Sequence, residues 1–195
     1  MYFKALQTSV LAAGAFGLAA SAVAGRKVED GDLAAASGFE RVFIAPVTVA
    51  LGEPDAGQIT YGRTSNRPVS EQDQARKAAD LRDDLVDQFS RRFTLVEAPS
   101  ADALTVETTI TRLASTRPTQ ADVERNQRIS LTSTFAGGAD FDVVLSVGDG
   151  APLARLTDSY KSSFNDGRPR IATWADADRA FGRFARSLAK TVDGD

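Results

Sequence analysis

The segment from Ala139 to Val147 constrains the fold more than any other part of the chain. Ala139, Phe141, Val143, Leu145 and Val147 alternate with Asp140, Asp142, Val144 and Ser146, the period of two that belongs to a strand with one buried face. It runs into Gly148-Asp149-Gly150, and an Asp-Gly pair between alternating segments predicts a hairpin, because both residues tolerate positive φ. Leu153 to Phe164 then reads as the returning strand, so an antiparallel pair anchors the fold. An all-helical architecture is excluded on that ground alone.

Other elements gather around the hairpin. Phe39 to Leu51 reads as a strand apolar on both faces, with Pro46 marking an edge or a bulge. Phe93 to Glu97 is a short strand, and Leu104, Val106, Thr108, Ile110 and Arg112 alternate with threonines and Glu107 in a longer one. Gly52 to Pro68 is a long loop; Ser115 to Gly138 is polar, with one helical turn or two at Ala121 to Gln127. Ser70, with Asp73 three positions on, caps a helix whose Ala75, Ala78, Leu81, Leu85, Val86 and Phe89 share one side. Asp73–Lys77, Arg76–Asp80 and Asp87–Arg91 fall at i,i+4 on its exposed side, each pair adding about 0.3 kcal/mol. Thr173 caps a second helix, with Trp174, Ala177, Phe181, Phe184, Leu188 and Val192 as its apolar stripe. The pattern predicts an α+β fold: a mixed or mainly antiparallel sheet of four to five strands, with two amphipathic helices on one face.

The N-terminus reads differently. Lys4, an Ala-rich apolar run from Leu6 to Ala20, and Ser21-Ala22-Val23-Ala24 have the layout of a secretory signal peptide, cleaved after Ala24 and before Gly25. A retained anchor is the alternative, but the run is shorter than the roughly 20 apolar residues of a span. Residues 1–24 are thus expected to be the leader, 25–38 a flexible linker and 39–195 a single domain, delivered to the periplasm. Without a Cys after the small-residue motif, lipid attachment of the bacterial lipoprotein kind is ruled out.

Chemistry is narrowed by what is missing. Among 195 residues there is no His and no Cys. That excludes a thiol nucleophile, disulfides, Cys/His metal and iron–sulfur sites and a Ser-His-Asp triad. No cofactor or metal site is expected. A net charge of −3 argues against general nucleic-acid binding. Arg179, Arg183, Arg186 and Lys190 fall within about 60° of arc on the last helix. They form a candidate docking stripe for an anionic surface, the plainer reading being a solvated face. Asp140 and Asp142 share one strand face, as paired hydrolytic acids or simply its wet side. Ser159 and Lys161 point the same way, a bare hint of a Ser-Lys hydrolase. Arg82 falls in the first helix's apolar arc, snorkelling at an edge or pairing with a carboxylate such as Glu107. Gly137-Gly138 is too short for a phosphate loop.

A sequence of short motifs adds a resemblance. Phe39-Glu40-Arg41-Val42-Phe43-Ile44-Ala45-Pro46-Val47 leads to the amphipathic helix, then to Asp102-Ala103-Leu104, Ile110-Thr111-Arg112-Leu113, Gly137-Gly138-Ala139, Asp158-Ser159 and Thr173-Trp174-Ala175-Asp176-Ala177. In that order, over roughly residues 37–192, they resemble the bacterial DUF3313 family, envelope proteins that often carry lipoprotein features and have no established activity. The resemblance transfers no catalytic residue, and tethering through a lipobox Cys is not carried over. Export, the missing chemistry and the resemblance lead to one expectation: a non-catalytic periplasmic binding or accessory module. Its partner would be another envelope protein or an anionic envelope surface. The alternative is a small hydrolase using carboxylate or Ser/Lys groups.

Overall fold

The computed structural model describes residues 26–52, 69–125, 130, 134–148, 150, 152–162 and 171–194. The expected leader, with its cleavage residues Ala22, Ala24 and Gly25, lies outside them, as do residues 53–68 of the long loop. In chain order come β1 (Arg26–Gly31), a short 3-10 turn (Leu33–Ala36), β2 (Arg41–Ile44), β3 (Thr48–Val49) and α1 (Glu71–Ser90). Then follow β4 (Thr94–Leu95), β5 (Leu104–Ala114), α2 (Gln120–Arg125), β6 (Gly138–Val147), β7 (Pro152–Lys161) and α3 (Ala175–Asp193). The sheet has seven strands in the order β1-β7-β6-β5-β2-β4, with β3 also on β5. β2 and β3 run parallel to β5, and β2 parallel to β4; the other pairs are antiparallel. The mixed α+β sheet agrees with the sequence reading, but its strand number does not.

The excess over five has two causes. Pro46 cannot donate to a ladder, and the expected strand from Phe39 to Leu51 splits around it into β2 and β3. The stretch 25–38, expected as a linker, instead holds β1 and the 3-10 turn, with β1 paired along β7. Its Arg26 side chain is buried, donates to the Ser187 carbonyl at 3.1 Å and Thr191 Oγ1 at 2.6 Å on α3, and pairs with Asp158 at 3.3 Å.

Both long helices lie on one face of the sheet. Leu81, Leu85 and Phe89 of α1 join Val42, Ile44 and Val106 in a core that continues into Phe141, Phe181, Phe184 and Leu188. Phe141 stacks on Phe184 at 4.1 Å and meets Phe181 edge-on at 5.9 Å. Trp174 is buried at the start of α3, as a core anchor should be. Ser70 caps α1 as expected, its hydroxyl accepting from the Asp73 N–H at 3.1 Å. The buried arc of α1, however, is rotated toward Lys77. Ala75 and Arg82 are therefore exposed, and Glu107 lies on the sheet face away from the helices, out of Arg82's reach.

Candidate functional site

The face of the sheet away from the helices is polar, and a register shift organises it. Along β5, Ile110 faces the core opposite Phe141; a bulge follows, and Arg112, expected on Ile110's side, comes to lie opposite Asp140. Its guanidinium donates to both Asp140 oxygens, Nε to Oδ2 at 2.7 Å and Nη2 to Oδ1 at 2.9 Å, and to the Tyr160 carbonyl at 3.0 Å. Ser159 Oγ donates to Asp140 Oδ1 at 2.6 Å. Burial alone would raise the Asp140 carboxyl, but the bonds from Arg112 and Ser159 and the nearby Lys161 charge hold it below the ordinary carboxylate range. Asp142 is gripped in the same way by Arg155, and Glu29 accepts from Lys27 and Thr157. The two candidate acids are thus neighbours on one strand, each held by its own arginine. Ser159 and Lys161 do lie on the same face, but the serine hydroxyl is given to Asp140.

A second polar cluster is buried where α3 begins. Asp176 is 0% exposed, and its carboxylate accepts from the Gly137 N–H at 3.3 Å, Ser162 Oγ at 2.7 Å and Arg179 Nη1 at 2.8 Å. Its backbone N–H donates to Thr116 Oγ1 at 2.9 Å, so the helix start expected to rest on Thr173 is capped from sixty residues away. Gly137 is required here: a Cβ would stand 2.8 Å from Thr116 Oγ1 and 2.9 Å from Asp176 Cβ. The sequence marks Gly137 and Asp176 only as separate short motifs, and offers no sign that they touch.

The basic stripe of α3 is divided between neighbours. Arg179 is drawn into the Asp176 cluster, and Arg183 lies over the Tyr160 ring, 5.4 Å from its centroid. Arg186 and Lys190 turn the other way and, with Gln88, Arg91, Arg92 and Asp193, line an open recess between the C-terminal turns of α1 and α3. Arg91 pairs with Asp87 at 2.8 Å, and Arg92 with Asp193. The three acids close to the stripe in sequence are all engaged: Asp176 as above, Asp178 by Lys77 at 2.6 Å, and Asp193 by Arg92. Among the described residues no group of three His, Cys, Asp or Glu is placed to hold a metal ion.

A family model described as a protein of unknown function, DUF3313, matches residues 30–188. The chain belongs to the DUF3313 family. In this DUF3313 chain the motifs from the second half of the sequence converge, since Gly137, Asp176 and the Thr173 carbonyl, which accepts from the Thr116 N–H at 2.7 Å, meet in the buried cluster. No curated protein matches the chain. Protein XCC0632 from Xanthomonas campestris, of the DUF330 family, is similar with a TM-score of 0.45 at 15% identity, over 79% of this chain and 85% of that one. A dodecameric PelC variant from Paraburkholderia phytofirmans is similar with a TM-score of 0.44 at 6% identity, over 86% and 95%. Among the described residues, no helix is long and apolar enough to cross a membrane.

Proposed function

We propose that this DUF3313 chain is exported to the periplasm and works there as a non-catalytic, envelope-associated binding or accessory module. The observation that carries the reading is the state of the polar sheet face. A glycosidase pair needs one carboxyl kept protonated at working pH beside one ionised. Here Arg112 and Ser159 favour the ionised form of Asp140, and Arg155 grips both oxygens of Asp142. A Ser-Lys hydrolase needs the hydroxyl proton aimed at the amine, and Ser159 directs it to Asp140. These groups are spent on cross-strand pairing, which leaves the chain's surfaces as its working parts.

The leader pattern supports export, and a chain without Cys has no thiol for a lipid, so contact with the envelope falls to its own surface or a protein partner. The test is in-cell cross-linking at native expression, with osmotic-shock fractionation and mass spectrometry of the adducts. The expected result is release of a chain lacking residues 1–24, cross-linked reproducibly to a particular envelope component. Retention in the cytoplasm, or recovery of background proteins alone, would overturn the reading.

A further inference from the structure

In this acidic chain, most of the described lysines and arginines are neutralised by a carboxylate within ion-pair distance. Arg186 and Lys190 are exceptions: both are exposed, one helical turn apart, and neither forms an ion pair with a carboxylate of the described residues, Asp193 beside them being taken by Arg92. They share their recess with Arg91 and Arg92, which arrive from the end of α1 because the two helices pack side by side. Four cations therefore meet two carboxylates, Asp193 within the recess and Asp87 at its rim. An adjoining depression shares Arg91, Arg92 and Asp193 and is lined by exposed Glu40 and by the partly exposed rings of Phe39 and Phe93, whose inner sides pack against the core.

We propose that this recess binds the phosphate-bearing head groups of anionic phospholipids, with Arg186 and Lys190 as the principal contacts and Arg91 completing the cradle. The inference rests on the envelope location proposed above. Arginine forks and a lysine ammonium suit phosphate oxygens, and long side chains on neighbouring helix ends can reach a surface without unfolding either helix. Rings beside the cations distinguish a head-group site from a site for free phosphate, because they can rest against the acyl boundary while the cations meet the phosphates. The cradle is also narrower than the stripe of four along α3, since Arg179 and Arg183 are committed elsewhere.

Flotation of the purified protein with phosphatidylcholine vesicles, and with vesicles containing one-third phosphatidylglycerol, tests the site. Binding is expected only to the anionic vesicles. Each basic residue at such a surface contributes about a fivefold gain, so Arg186→Glu with Lys190→Glu should weaken binding by about 25-fold or more. Arg183→Glu makes the same change in net charge as Arg186→Glu alone; it should leave binding within about twofold, whereas Arg186→Glu should not. Asp193→Asn removes the recess's own carboxylate and should strengthen binding. Far-UV circular dichroism of each variant checks that the fold is kept. Equal flotation with both vesicle types, equal losses for Arg183→Glu and Arg186→Glu, or release of the protein by millimolar inorganic phosphate at constant ionic strength would overturn the inference. If vesicle binding is absent while a specific envelope partner is still cross-linked, the module reading stands and this inference alone falls.

Discussion

Arg112 shows how much can turn on the placement of one residue. Had β5 kept strict alternation, its guanidinium would have entered the core beside Ile110; the bulge carries it to the polar face and onto Asp140. Arg112→Ala should cost about 2 kcal/mol, less than a fully buried pair because Asp140 is partly solvated, and urea denaturation would measure it. The pair also sets a pH dependence. Asp140 titrates lower in the folded chain than in the unfolded one, so its contribution is complete above the ordinary carboxylate range and is lost as pH falls through the folded value. Arg112→Ala should flatten that acid limb. Asp84 has the opposite sign. Partial burial first, then Asp178, Asp87, Asp80 and Asp83, raise its carboxyl, so its ionisation opposes folding and the penalty sets in as pH rises through the folded value. Asp84→Asn should therefore stabilise the protein by about 0.5 kcal/mol at neutral pH and by nothing at pH 3, as thermal unfolding at the two pH values would show.

The elements differ in how plainly the sequence announces them. β6, α1 and α3 are legible because a row of buried side chains on one face writes a period into the residues, and β7 because the Asp-Gly turn before it announces a returning strand. β1 writes none: Arg-Lys-Val-Glu-Asp-Gly has one apolar side chain, and its strand conformation comes from pairing with β7 and from Arg26 reaching α3. The basic stripe is legible as spacing, yet its division between Tyr160, Asp176 and the arginines of α1 depends on which helices become neighbours, a tertiary fact. The buried cluster at the start of α3 is hidden for the same reason. Its tolerance is narrow at β6: Gly138 has φ +149°, and a Cβ there would lie 2.0 Å from the Tyr160 carbonyl oxygen. Gly138→Ala should destabilise by about 3 kcal/mol or more, whereas Gly38→Ala, with open space around it, should be nearly neutral; paired denaturation curves would separate them. Removing β1 should leave the rest folded but expose the β7 edge, and light scattering should then detect more self-association than for the full chain at the same concentration.

At the scale of the molecule, α1 and α3 share one continuous core with the sheet. Unfolding should accordingly be a single transition. The fluorescence of the lone tryptophan, Trp174 at the head of α3, should trace the same curve as far-UV circular dichroism; two separated transitions would mean that α1 and α3 come off independently. The mixed sheet joins residues far apart in the chain, and that slows folding because distant segments must meet before contacts reward them. β1 is the extreme case, its Arg26 pairing with Asp158 across 132 positions. In a chain threaded through a membrane pore with its N-terminus leading, the first strand to emerge is the last to find its partner. On the export proposed above, β1 could be locked into the sheet only after β7 (Pro152–Lys161) had crossed, so closure of the sheet would fall on the far side.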